Sequence, residues 1–137
     1  MFFSLSHTNS YAAAMLHPTA PVGIDVEQVS ERVLRIRKKF LSETEESILQ
    51  SFGSRFAHLS MTAIYTLAWS AKEAAYKALH QSGIDFINDL PIVLIDAPVD
   101  AASNEYTINL GGKGQDLLVR GWVMSTICLA VGVEGRG

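Results

Sequence analysis

The spacing of apolar and polar residues changes character along the chain, and each change predicts an element. Residues 1–6 and 11–16 read as two short strands around a polar turn, His7-Thr8-Asn9-Ser10. His17-Pro-Thr-Ala-Pro21 reads as a loop, because each proline biases its preceding neighbour away from helix. Val22-Gly-Ile-Asp-Val26 then alternates: Val22, Ile24 and Val26 take one face of a strand, while Asp25 and Glu27 take the other. From about Ser30 the period lengthens. Val33, Ile36 and Phe40 form a stripe at helical spacing beside Arg32, Arg35 and Lys39, which predicts one amphipathic helix. Ser42 and Glu45 stand at capping-box spacing ahead of Ile48, Leu49 and Phe52, predicting a second helix that Gly53 ends. A long third helix is predicted over residues 60–81, with Ile64, Leu67, Ala68, Ala71, Ala75, Ala78 and Leu79 at helical spacing and Gly83 closing it. Strand-like runs follow at 92–95, 106–110, 117–123 and 126–133, with Gly111-Gly112-Lys113-Gly114 as a hairpin connection. Strands, then helices, then strands indicate an α+β domain.

Composition narrows the class. The chain has 137 residues, 48% of them hydrophobic and 18% charged, which excludes an intrinsically disordered segment and suits one domain with its own core. A net charge of -3 argues against a general nucleic-acid binder, which wants a basic excess. The one cysteine, Cys128, cannot build a disulfide framework or a cysteine-rich zinc module, and fits a reducing compartment. The first 24 residues carry no Asp, Glu, Lys or Arg, yet Ser4, Ser6, His7, Thr8, Asn9 and Ser10 interrupt the apolar stretch. That segment reads as buried strand rather than a secretion signal. No run is long enough to cross a bilayer, so the expected address is the cytoplasm, with no membrane and no nucleic-acid partner.

Two places carry candidate chemistry. Asp25 and Glu27 lie close together on one strand face and repel each other, and a hard cation with oxygen ligands would relieve that repulsion. A strand end meeting solvent would look the same. On the long helix, Glu73 and Lys77 are four residues apart, with Trp69 one turn earlier on the same side, opposite the alanine stripe. An ordinary helix-stabilising ion pair, worth a few tenths of a kcal/mol, is the alternative there. Taken together the two places make an oxygen-rich metal site, with adjacent lysines suited to a diphosphate.

Val22-Gly-Ile-Asp-Val-Glu27, with Glu73 48 positions after Asp25 inside Trp69-Ser-Ala-Lys-Glu-Ala-Ala-Tyr-Lys77, resembles the 4'-phosphopantetheinyl transferase superfamily. Leu5-Ser-His-Thr8 is similar to the Ser-His-Ser/Thr segment that precedes the Asp-x-Glu strand in that family. The Asp-x-Glu triplet with a Trp-x-x-Lys-Glu helix resembles the Sfp-type branch. The resemblance implies an antiparallel sheet packed against the long helix and shorter helices. It implies that Asp25, Glu27 and Glu73 hold Mg²⁺, with Mn²⁺ as the alternative ion, against the pyrophosphate of coenzyme A. The implied reaction moves the 4'-phosphopantetheine arm to a serine of an apo acyl or peptidyl carrier protein and releases 3',5'-ADP. Glu73 is then the candidate base, Lys72 and Lys77 contact the phosphates, and Ser6 with His7 touch the nucleotide end of coenzyme A. Without the motif, His7 reads as a turn histidine bonded to backbone.

Arg32, Arg35, Arg37, Lys38 and Lys39 concentrate five of the eleven basic residues in an acidic chain. Such a run usually marks a solvated helix face. The resemblance implies a docking patch for an acidic carrier protein, with charge reversal at Arg35 and Lys38 raising the carrier KM alone. Sfp-type enzymes consist of two similar halves, and only five residues precede Ser6 here. Residues 1–137 are therefore expected to form a single transferase half-domain lacking most of the first half. A fragment, a naturally short form and a chain that recreates that half by self-association are the three expectations, with Trp122 and Val123 as candidates for such an interface or, equally, for burial in the monomer core. The alternative reading is a truncated, non-catalytic module that binds a carrier protein or coenzyme A.

Overall fold

The computed structural model describes residues 1–97, 104–112 and 115–133, so Lys113 and Gly114 of the expected hairpin connection lie outside the described residues. Strands β1 (Phe2–His7) and β2 (Ala12–His17) pair antiparallel as a separate two-stranded hairpin. β3 (Val22–Gln28) is the edge of a five-stranded antiparallel sheet, and its inner neighbour is β7 (Ile127–Val133), the last strand in the chain. β6 (Gln115–Met124), β5 (Glu105–Gly112) and β4 (Ile92–Asp96) complete the order β3-β7-β6-β5-β4. Helices α1 (Arg32–Ile36), α2 (Glu43–Arg55) and α3 (Met61–Leu79) separate β3 from β4 in sequence. The molecule is α+β, an antiparallel sheet packed against one long helix and two shorter ones.

The long helix sits on the sheet because its core side is made of small residues. Ala71, Ala74, Ala75 and Ala78 are buried against β3 and β7. The approach is closest at Gly23, where a Cβ would stand 1.8 Å from the Ala74 carbonyl oxygen. Such contact between a strand and a helix backbone needs glycine. Side chains on the same face of β5 and β6, such as Ile108, Leu110, Leu117 and Val119, continue this core to the far edge of the sheet. Trp122 and Val123 alternate across β6: Val123 packs against the core, and the half-buried Trp122 takes the opposite face. They are not one patch.

Local signals set most boundaries. At the start of α2, Glu45 N donates to Ser42 Oγ at 3.2 Å and Ser42 N donates to Glu45 Oε1 at 3.0 Å, the complete capping box. Ser60 caps α3 through the Ala63 amide at 3.0 Å. Two stop signals were misplaced. α2 runs past Gly53 to Arg55, because Gly53 makes room for Met61 rather than ending the helix: a Cβ there would meet Met61 Sδ at 2.6 Å. α3 ends at Leu79 with His80 left-handed at φ 52°, and Gly83 lies in the turn beyond. The expected single helix near Val33 is α1 followed by a 3₁₀ turn, Arg37–Lys39. No helix among the described residues is long and apolar enough to cross a membrane.

Candidate functional site

The unusual feature of β3 is how its free edge is satisfied. The amides of Ile24 and Val26 face away from β7 and donate to serine side chains of β1, to Ser4 Oγ at 3.0 Å and Ser6 Oγ at 3.1 Å. Serines thus stand in for a neighbouring strand, and they bring the end of β1 beside Asp25. Lys77 closes the same junction from α3, donating to Ile24 O at 2.9 Å and Leu5 O at 3.3 Å. Its ammonium also lies 3.4 Å from Asp25 Oδ1.

Asp25 is buried, and its two oxygens differ. Oδ1 faces Lys77 and accepts from Ser6 Oγ at 3.4 Å, whereas Oδ2 is buried with no hydrogen-bond partner. A buried carboxylate oxygen without a partner costs on the order of 1–3 kcal/mol or more, so it marks a place where a cation or donor belongs. Below it, Ser70 Oγ donates to the Asp25 carbonyl at 3.2 Å and fixes the strand on α3. Glu27, two residues on, shares the face that meets α3. Burial pushes its carboxyl up to about 8, helped by the neighbouring Asp25 carboxylate and by the charge of Glu73. Glu73 across on α3 is raised as well, by burial first and then by Asp25, against the pull of Lys77. Glu27 on β3 and Glu73 on α3 therefore both resist ionisation beside Asp25, with Lys77 alone opposing this among the causes of the two shifts.

The donor chemistry fits a hard divalent cation: all oxygen, one without a hydrogen-bond partner, and two carboxyls raised above their ordinary range by burial first and then by neighbouring negative charge. Among the described residues, however, no three His, Cys, Asp or Glu side chains are grouped closely enough to form a ready-made metal cage. Cys128 is paired with Glu27 across the β3–β7 ladder, and burial and then the charges of Glu27 and Asp25 push its thiol up to about 12. It is an inert thiol and not a ligand.

A cleft of about 520 Å³ opens here, lined by Glu27, Glu73 and Trp69 together with His7 at the end of β1 and Thr8 and Asn9 just after it. Arg32, at the start of α1, supplies its cationic wall. The arrangement joins most of the residues the sequence singled out, and departs from it in particular ways. Glu73 and Lys77 flank the alanine stripe instead of lying opposite it, because the helix is covered on that side by the end of β1 and by β3. Lys72 does not line the cleft. Successive helix residues point about 100° apart, so Lys72 cannot share the outlook of Glu73. It is wholly buried, with Nζ 2.6 Å from Glu45 Oε2 and donating to the carbonyls of Phe40 at 2.6 Å and Phe86 at 2.7 Å. The Ser6 hydroxyl is engaged with β3, and His7 is the member of that pair that lines the cleft. Arg32 went unrecognised as a cleft residue, since in the sequence it looked like one of five basic neighbours.

The basic run is also divided. Arg37 Nε and Lys38 Nζ lie 3.1 and 2.9 Å from the two oxygens of the buried Glu46, so they staple the 3₁₀ turn to α2. Arg32, Arg35 and Lys39 are exposed. A charge reversal at Lys38 would therefore disturb folding as well as any docking, which corrects its use as a clean probe.

The sequence profile of the 4'-phosphopantetheinyl transferase superfamily matches residues 21–126, from the loop before β3 to the β6–β7 turn. The chain belongs to that superfamily. It is also similar to the 4'-phosphopantetheinyl transferase gsp of Aneurinibacillus migulanus, 32% identical over 77 residues. That match covers 56% of this chain and 30% of the relative, so the chain spans under a third of that transferase. The superfamily match includes the three carboxylates, Lys77, Arg32 and the aromatic side of the cleft.

Proposed function

We propose that this chain carries the metal-binding and transfer face of a 4'-phosphopantetheinyl transferase of the Sfp-type branch. The substrate is coenzyme A, the acceptor is a serine hydroxyl of an apo acyl or peptidyl carrier protein, and 3',5'-ADP leaves. One observation carries the reading: the orphaned Asp25 Oδ2 beside two carboxyl groups whose ionisation is opposed. Asp25, Glu27 and Glu73 are the residues that would hold Mg²⁺ or Mn²⁺. Either ion would neutralise pyrophosphate charge as the phosphoryl bond to the departing 3',5'-ADP weakens.

The chain's own groups divide the remaining work. Lys77 keeps β1, β3 and Asp25 in register and presents positive charge next to the carboxylates. Arg32 and His7 line the cleft where phosphates and the nucleotide end would lie. Glu73 takes the proton of the carrier serine, directly or through water, as its oxygen bonds to the phosphorus and the bond to 3',5'-ADP breaks. The exposed Arg32, Arg35 and Lys39 offer an acidic carrier helix a docking edge beside the cleft. Residues Phe3, Leu5 and Leu16 leave an apolar face of the β1–β2 hairpin exposed, which favours self-association. The setting is the cytoplasm.

One fact favours a second reading, a non-catalytic module that binds the carrier protein or coenzyme A: the carboxylates are not grouped as a metal cage among the described residues. Incubation with coenzyme A, Mg²⁺ and an apo carrier protein, followed by intact mass, separates the two. Added phosphopantetheine mass that disappears in a folded Glu73→Gln variant supports transfer. No added mass at any protein concentration supports the module.

A further inference from the structure

The buried polar groups that the carboxylate site does not use gather on another flank of α3. Lys72 Nζ sits 2.6 Å from Glu45 Oε2 and holds the carbonyls of Phe40 and Phe86. Glu45 in turn accepts from Ser42 N at 3.0 Å and from Ile92 N, the first residue of β4, at 2.8 Å. A single buried pair thus ties together α3, the start of α2, the chain before it, the segment after α3 and the edge of the sheet. Burial pulls the Lys72 ammonium below its ordinary range, and Glu45 opposes that pull. Buried ion pairs of this kind contribute little net stability, because desolvation offsets their attraction. What the pair does supply is position.

The two clamped carbonyls belong to the residues whose rings hold Trp69. Phe40 meets the indole edge-on with centroids 5.1 Å apart, and Phe86 packs against it at 5.5 Å. Trp69 lines the cleft one helical turn before Glu73. We infer that the Glu45–Lys72 pair is a positioning device for the aromatic wall of the cleft: it fixes Phe40 and Phe86, which fix Trp69 beside Glu27 and Glu73. The geometry stands by itself, and its catalytic consequence rests on the cleft being the coenzyme A site. Lys72 is accordingly a positioning residue, not a phosphate ligand.

The test uses a Trp122→Phe parent, in which Trp69 is the one remaining tryptophan of two. Into it goes the double change Glu45→Gln/Lys72→Met, which removes both charges and leaves no lone buried ion. The expected result is a folded protein whose Trp69 emission shifts to the red and quenches more readily with acrylamide. Its coenzyme A KM rises about tenfold to a hundredfold, the scale of a displacement near 1 Å. If the double variant fails to melt cooperatively, Glu45→Asp is read the same way, since it keeps both charges and only shortens the carboxylate's reach toward Lys72 and Ile92 N. A folded variant with parental Trp69 emission and quenching overturns the inference. So does a Lys72→Met protein that loses coenzyme A affinity while Glu45→Gln keeps it, because the ammonium would then meet the phosphates itself. A parent that binds no coenzyme A, with Trp69 still responding, refutes the cleft assignment and leaves the positioning intact. A parent that binds coenzyme A with Trp69 unresponsive does the reverse.

Discussion

Replacing Gly23 by alanine tests how the site is assembled, because Gly23 stands where β3 crosses α3. The added methyl would lie 1.8 Å from Ala74 O, 2.8 Å from Ala78 N and 2.9 Å from Ala74 C. All three are helix backbone atoms, which no change of rotamer moves aside. Ordinary contact begins at 3.4 Å, so strand and helix must part by about 1.5 Å to relieve the overlap. That movement separates the two halves of the site, since Asp25 and Glu27 ride on β3 while Glu73 and Lys77 ride on α3. Overpacking at an ordinary core position costs about 1–3 kcal/mol. A backbone clash that also loosens Ala74, Ala75 and Ala78 belongs at the top of that range or above. Against a total stability of roughly 5–15 kcal/mol the variant should fold but melt early. Urea unfolding of Gly23→Ala should show a loss of about 3 kcal/mol, and calorimetric titration with Mg²⁺ should show affinity reduced at least tenfold, as for a displacement beyond 1 Å. Gly111→Ala is the control: its nearest atoms, on Pro91 and Val93, lie at 3.7 Å, and its effect should stay within about 0.5 kcal/mol. A Gly23→Ala protein equal to that control in stability and Mg²⁺ affinity would refute the account of how β3 is seated.

Three further outcomes follow from the charges. In metal-free protein Glu27 is raised to about 8, so melting temperature should fall as pH rises from the ordinary carboxylate range toward 8, and Mg²⁺ should restore it. A melting temperature flat in pH and indifferent to Mg²⁺ contradicts this. Glu46 shows the opposite sign. Burial pushes its carboxyl up, but hydrogen bonds from Lys38 and Tyr65 and the charges of Lys38 and Arg37 outweigh it and hold it below the usual range. Its contribution is full above about pH 4.3 and is lost as pH falls through the lower native value, so Glu46→Gln should flatten the acid limb of the melting curve. An unchanged acid limb counts against it. Finally, Arg35→Glu should raise the carrier KM with an unchanged melt, whereas Lys38→Glu should lower the melting temperature too, through Glu46. Equal melts for the two variants would show that the Lys38 pair contributes nothing.

Much of the fold was legible because its signals are local. The strand read from Val22 to Val26, which continues to Gln28, the Ser42–Glu45 capping box and the Ser60 start of α3 each depend on a few neighbouring residues, and each appears where the pattern put it. Gly53 misled because a glycine inside a helix looks like a stop until Met61 is seen packed over it. Phe40 misled in a milder way, since its stripe continues through a 3₁₀ turn that spacing cannot distinguish from α-helix.

For the site, strand and helix periods pair Asp25 with Glu27 and Glu73 with Lys77, because they say which residues share an outlook within one element, and the family resemblance joined the two pairs into one expected site. Periodicity cannot say what that outlook meets. Lys72 and Lys77 look equally suited to a phosphate in the sequence, yet the 100° step between Lys72 and Glu73 turns one lysine toward Glu45 and leaves the other against Asp25. The same holds for Arg32 and Lys38, neighbours in a basic run that the packing of α2 assigns to the cleft and to Glu46. Which carboxylate oxygen lacks a partner, which serines replace a missing strand and which lysine is sealed away are long-range outcomes. They depend on how β3, α3 and the β1–β2 hairpin meet, and contact between distant segments leaves no periodic trace in any one of them.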